Sequence, residues 1–199
     1  MKVAVVHTGV ANLASVLAGL RRVGGDPVVT TDADEVAEAP AAFLPGVGAF
    51  GPGMEALRAG GLDQALRERI AADRPTTCIC LGLQLLARAS EESPGVAGLG
   101  VLDGEVTRFR GDVLVPQFGW NLVHPTPGCR LLEPGHAYFA NSYKLDALPP
   151  GWEGALGDHG GPFVAAVERG RVLGCQFHPE LSGVWGQALL RRWLEAAAC

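Results

Sequence analysis

Clustered positive charge is missing from this sequence. Lys and Arg number 16 against 21 Asp and Glu, and the net charge is −5. A nucleic-acid or anionic-membrane surface needs grouped basic side chains, so neither is expected as a partner. The pairs Arg21-Arg22 and Arg191-Arg192 fall in helical stretches and read as solvated faces. Long apolar runs are missing too. The VAVVH run after Met1-Lys2 is too short for a signal peptide or a membrane span, and no small-residue cleavage site follows it. The expectation is a cytoplasmic protein. Cysteine is sparse and odd in number: Cys78, Cys80, Cys129, Cys175 and Cys199. In a reducing compartment these read as free thiols, not as a disulfide framework. Metal-ligand spacing is also absent. Cys78 and Cys80 have no second Cys or His pair nearby, and the histidines (His7, His124, His136, His159, His178) are scattered. Neither a metal nor a cofactor is expected, and no internal repeat or low-complexity tract is present.

What is present is apolar material. Hydrophobic residues make up 48% of 199 residues, enough for a sizeable core in one domain spanning 1–199. Residues 2–7 read as a fully buried strand. Leu13, Val16, Leu17 and Leu20 recur at helical spacing and predict a helix over 12–23, stopped by Gly24-Gly25. A short strand over 27–30, a brief helix capped by Asp32, a strand over 42–44, a helix over 62–72, a strand over 76–79 and a helix over 82–89 follow. Alternating strands and helices imply parallel strands joined by crossover helices. From 101 to 144, short β-like runs alternate with Gly and Pro, which predicts antiparallel extension strands on the sheet. A strand over 172–177 and a closing helix over 184–197, capped by Ser182, complete an α/β fold: an open, mostly parallel central sheet flanked by helices. Trp185, Leu189 and Trp193 recur every four residues on that last helix and read as core packing. Such sheets bind ligands beyond the carboxyl ends of their strands. The loops after Leu44, Ile79 and Phe177 are therefore the places to look for chemistry.

The stretch TTCICLGLQLL (76–86) carries two thiols with different surroundings. Read as strand, sharp turn and helix, it resembles a nucleophile elbow, in which a reactive side chain sits on a tight turn above the sheet. Cys80 falls at the turn, with Gly82 relieving the crowding. A thiol at a helix N-terminus feels the positive end of the dipole, which favours its thiolate. Cys78 lies within the strand and reads as inert packing. The stretch alone leaves a nucleophile and a buried structural thiol both open for Cys80. A nucleophile needs a base, and the base an orienting group. QFHPE (176–180) offers both. Pro179 disfavours helix at His178, and in an extended segment His178 and Glu180 would project to the same side.

CICLGLQLL together with QFHPE resembles the class I glutamine amidotransferases. LPGVGAFG (44–51), VPQFGWN (115–121), YFANSY (138–143) and NLASV (12–16) narrow the likeness to one branch. That branch feeds ammonia to imidazole glycerol phosphate synthesis in histidine biosynthesis. The matching segments are spread from Asn12 to Ser182. The resemblance implies a Cys80, His178 and Glu180 triad that hydrolyses glutamine through a glutamyl thioester. It implies oxyanion donors at Leu81 and Val47, and substrate contacts at Gly46, Gly48, Gln84, Ser142 and Tyr143. It also implies a heterodimer with a separate cyclase subunit, a (β/α)8 barrel, docked near Asn12, Gln117, Trp120, Asn121, Tyr138, Asn141 and Leu181. Several positions depart from the family pattern: His7-Thr8-Gly9, Gln117, Asn141, Leu181 and Cys78 stand where Asp-Tyr-Gly, His, His, Lys and Gly are usual. Leu181 would replace a charged contact with packing. Three rivals are disfavoured. PGVGAFG argues against a subunit of anthranilate or aminodeoxychorismate synthase. The intact triad argues against a silent scaffold, and Gln84 with the docking motifs against a stand-alone cysteine hydrolase.

Overall fold

The computed structural model describes residues 1–7 and 13–198; Asn12 and Cys199, both singled out in the sequence, lie outside them. Strand β1 (Lys2–Val6), helix α1 (Leu13–Arg22), β2 (Asp26–Thr30), α2 (Ala33–Glu38) and β3 (Ala41–Leu44) form the first half of a doubly wound sheet. Helices α3 (Phe50–Ala59) and α4 (Leu62–Ala71) lead to β4 (Thr76–Ile79) and the short α5 (Leu81–Leu85). Asp32 caps α2 as expected, accepting from the Asp34 and Glu35 N–H groups.

The remaining strands are β5 (Ala89–Ser90), β6 (Glu105–Arg108), β7 (Gln117–Pro125), β8 (Gly135–Asn141), β9 (Tyr143–Leu145), β10 (Glu153–Asp158), β11 (Pro162–Arg169) and β12 (Val172–Cys175). A 3-10 turn (Pro179–Leu181) and α6 (Gly183–Ala197) close the chain. Nine strands form one sheet in the order β2-β1-β3-β4-β12-β11-β10-β7-β8. From β2 to β12 neighbours run parallel; from β12 onward they run antiparallel. This is the mostly parallel α/β sheet with antiparallel extensions that the sequence predicts. β5, β6 and β9 make a smaller sheet.

The central strands are apolar on both faces because helices cover both. On β1, Ala4 and Val6 pack with α2, α3 and α4 through Val36, Met54, Leu57, Leu66 and Ile70. Val3 and Val5 pack the other way, with Val16 and Leu20 of α1 and Leu189, Leu190 and Trp193 of α6. Trp193 is 1% exposed and meets Phe43 edge-on at 6.3 Å. Each such fully buried side chain contributes about 1.5–3 kcal/mol. Leu189 and Trp193 are core, and Trp185 packs on Phe177.

Four differences from the sequence expectation have physical reasons. The helix expected over 82–89 stops at Leu85 because N–H groups of Leu99, Val101 and Leu102 take the carbonyls of Leu85 and Leu86. The Ser182 hydroxyl does not cap α6; it donates to His178 O and accepts from the Tyr138 N–H. Arg192 is not simply solvated, since it clips Leu131 O and Glu133 onto α6. Helix α3 begins FGPG, an unpromising start. Pro52 is tolerated because first-turn N–H groups have no helical partner. The Phe50 and Gly51 N–H groups instead find Glu92 Oε2 and Ser93 Oγ, 42 residues away.

Candidate active site

Cys80 sits where β4 turns into α5, with φ 54° and ψ −109°. A non-glycine residue there is strained by about 1–3 kcal/mol and persists only where its surroundings over-determine it. Three contacts do so. The Cys80 N–H donates to Cys175 O at 2.7 Å, and Cys80 O accepts from the Gln84 N–H at 3.2 Å. Gly82 lets the elbow press on β3: a Cβ there would lie 2.3 Å from Leu44 O. A Cβ on Gly46 would likewise come within 2.8 Å of Gly82 N.

Beyond β12, the His178 N–H donates to Tyr138 O at 2.9 Å, which pins this segment to the β8 edge. His178 is extended, as Pro179 requires, with φ −102° and ψ 94°. Glu180, however, lies in the 3-10 turn, so the two side chains meet across a turn and not along an extended strand. His178 Nδ1 and Glu180 Oε1 are 2.9 Å apart, with side chains 10% and 3% exposed. Cys80 also acts on this imidazole. Burial disfavours the imidazolium, but hydrogen bonds and charge from Cys80 and Glu180 outweigh it and raise His178 from 6.5 to about 10. Cys78 is different: fully buried, it is pushed up to about 12 by desolvation and stays a neutral thiol. Burial raises Cys175 in the same way.

A cavity of about 200 Å³ opens beside these groups. It brings together Val47, Gly48, Cys80, Leu81, Gln84, Asn141, Ser142, Tyr143 and His178, residues far apart in sequence. Gly46 borders a smaller recess next to Glu180. Glu92 also lines the cavity. Nothing in the sequence marks it; the β5 turn delivers it, and it holds the N-terminus of α3 at the same time. A second cavity, with Arg108, Arg110, Lys144 and His159, is lined by no cysteine or serine. Two of its cations are already paired, Arg110 with Glu91 and Lys144 with Asp146.

The two expected oxyanion donors do not converge in this arrangement. The Leu81 N–H donates to Gly46 O at 3.4 Å. In a planar trans peptide the carbonyl and the N–H point oppositely, so the Val47 N–H is turned away from Leu81. Gly48, at φ 99°, gives the loop conformational freedom.

A family model described as glutamine amidotransferase class-I matches residues 12–197. The chain belongs to this family. Its relatives include imidazole glycerol phosphate synthase subunit HisH of Symbiobacterium thermophilum, 44% identical over 96% of this chain and 92% of that protein. The Escherichia coli K12 protein of the same name is 42% identical over 98% of this chain and 100% of its own length. Among solved structures, a glutamine amidotransferase superposes with TM-score 0.78 at 24% identity, over 98% of this chain and 99% of that one. A glutamine amidotransferase from Thermotoga maritima superposes at 0.63 and 19% identity, over 98% and 81%. At those identities the structures show the fold alone.

This class-I glutamine amidotransferase also carries an exposed apolar face. Phe118, Trp120 and Leu122 alternate outward along β7 and are 71%, 59% and 42% exposed. Trp120 meets Tyr138 of β8 edge-on at 6.1 Å, and Leu181 and Val184, close in sequence to His178, are exposed as well. Period-two alternation could have found Phe118 and Leu122 from sequence. Gln117 and Asn141, expected at a docking surface, are instead buried partners across β7 and β8. Their side chains point inward because they have the opposite strand parity to Trp120 and Tyr138. Asn121 donates to Asp158 O. Among the described residues, no helix is long and apolar enough to cross a membrane, and no group of three His, Cys, Asp or Glu side chains could hold a metal.

Proposed function

We propose that this chain is the glutaminase subunit of an imidazole glycerol phosphate synthase, in which Cys80, His178 and Glu180 act as a triad. The observation that carries the reading is the strained Cys80 elbow together with the His178–Glu180 pair, beside a cavity of amino-acid size. With His178 raised to about 10, its imidazolium is available at neutral pH as the proton donor, and the nucleophile in this reading is Cys80 acting as its thiolate. The thiolate attacks the side-chain amide carbon of glutamine. The C–N bond breaks as His178 gives its proton to the leaving ammonia. The neutral imidazole then takes a proton from water, which attacks the thioester and releases glutamate and the thiolate. Glu180 holds the imidazole in orientation throughout. Glu92 and Gln84 would bind the α-amino end of glutamine, with Ser142 and Tyr143 on the opposite wall.

Oxyanion stabilisation requires donors aimed at the developing charge. Rotating the Gly46–Val47 peptide would free the Leu81 N–H and turn the Val47 N–H inward together. The partner would be a cyclase subunit, a (β/α)8 barrel, that receives the ammonia and makes imidazole glycerol phosphate and an aminoimidazole carboxamide ribotide. The exposed Phe118–Trp120–Leu122 face supports docking there, since a central aromatic anchor is typical of interfaces. Tyr138 lies under that face, and its backbone bonds both the His178 N–H and the Ser182 hydroxyl. Docking on this hairpin therefore acts on the strand that holds the base. The test is to mix the chain with a cyclase and its phosphorylated nucleotide substrate and follow glutamate release. Release should be slow for the chain alone and rise on mixing. Fast release without the cyclase would contradict the coupling.

A further inference from the structure

Gln176 is fully buried, two residues before His178, and the triad leaves it without a task. Its contacts fix which way its amide points. Tyr143 O can only accept, and it lies 3.0 Å from the Gln84 amide, so Gln84 must present its NH2 group there. That same nitrogen is 3.0 Å from the Gln176 amide, which must therefore turn its oxygen toward Gln84. The Gln176 NH2 group is left facing Cys80 Sγ at 3.7 Å. A chain of oriented amides thus runs from the Tyr143 carbonyl through Gln84 and Gln176 to the nucleophile. Both ends lie on the glutamine cavity, while Gln176 lies beneath it.

We infer that Gln176 is a positioning residue for the nucleophile, held by Gln84 so that its N–H is directed at the Cys80 sulfur. An amide N–H can donate but not accept. It therefore favours sulfur as thiolate, which accepts strongly, over sulfur as thiol, which accepts weakly. It also gives the sulfur a fixed partner besides His178. The inference rests on Cys80 being the nucleophile. Other titratable groups around the sulfur are His178 with Glu180 behind it, Glu92 and Tyr143 across the cavity, and the buried thiols Cys78 and Cys175 on the strands beneath.

The test is the pH profile of Cys80 alkylation by iodoacetamide in the full chain. Peptide mass spectrometry separates Cys80 from Cys129, and thermal unfolding checks each variant's fold. Gln176→Met keeps the length and removes the donor. Its inflection should move up by about one pH unit, which is about tenfold slower alkylation below the inflection. Gln84→Met should move it in the same direction by less, because Gln176 then loses its anchor. A residue that only binds glutamine would not alter alkylation in glutamine's absence. If Gln176→Met fails to fold, Gln176→Asn serves, being too short to span Gln84 and Cys80 at once. An unmoved inflection in a folded Gln176 variant overturns the inference, and an unmoved one in Gln84→Met overturns the role of Gln84 in it. Cys80→Ser separates this from the underlying reading. If Cys80→Ser keeps glutaminase turnover, the nucleophile assignment fails. If it is inactive while the Gln176 profiles are unmoved, only the amide relay fails.

Discussion

Replacing Gly82 with alanine should disable the elbow without touching a reacting group. The added Cβ would lie 2.3 Å from Leu44 O and 3.2 Å from Leu44 Cγ. Real Cβ contacts stay at 3.0 Å or more, so the gap between the end of β3 and the start of α5 must open by about 0.7 Å. A backbone carbonyl cannot swing aside as a side chain can, and Leu44 is fixed opposite Cys78 in the β3–β4 register. Overpacking of this kind costs about 1–3 kcal/mol. The displacement falls on Cys80 and its neighbours, and a misplacement near 1 Å costs about a hundredfold in rate. Urea unfolding should therefore place Gly82→Ala lower in stability, and glutamine-dependent synthesis with the cyclase should fall about a hundredfold. Synthesis from added ammonia should hardly change. Gly104→Ala is the control: its Cβ would meet Leu145 at an ordinary 3.4 Å, and the change should stay within about 0.5 kcal/mol. Wild-type stability and activity in Gly82→Ala would refute the tight elbow.

The other predictions test the base, the second thiol and the docking face. His178 is raised from 6.5 in the unfolded chain to about 10 in the fold, so its contribution to stability is complete below pH 6.5 and lost as pH rises through about 10. Glu180→Gln should lower that titration, read by NMR of the His178 ring. Its stability deficit should shrink as pH rises toward 10; a constant deficit would separate Glu180 from His178. Cys78→Ala should keep most glutaminase activity and lose about 1 kcal/mol in urea unfolding, because a thiol pushed to about 12 packs and does not react. Loss of activity there would reopen the choice between the two cysteines. Trp120→Ala should weaken cyclase binding by about 2 kcal/mol, roughly thirtyfold, in a calorimetric titration. Unchanged affinity would move the partner to another face.

Much of this is legible in the sequence because local signals and global placement agree. The loops after Leu44, Ile79 and Phe177 converge because parallel strands put their carboxyl ends on one side. The strand-turn-helix pattern around Cys80 and the proline after His178 both carry their meaning locally. Glu92 is not legible: a glutamate in a polar turn carries no sign of the helix it will cap 42 residues upstream. Helix α3 is hidden for the same reason, since its N-terminal partners are distant and its first turn is rich in Gly and Pro. β10 and β11 escape notice, although FVAAV is a continuous buried run, because the antiparallel return gives them no crossover helix to announce them. For Gln117 and Asn141, neighbouring motif residues point to the surface, while strand parity alone separates them from Trp120 and Tyr138.

The whole functional reading turns on Cys80 as the source of the ammonia. The most direct measurement compares glutamine-dependent with ammonia-dependent synthesis by the chain and its cyclase, using Cys80→Ser in place of the wild type. The glutamine-dependent rate should disappear and the ammonia-dependent rate should be unchanged, since only the supply of ammonia is removed. Glutamine-dependent synthesis surviving in Cys80→Ser would contradict that reading.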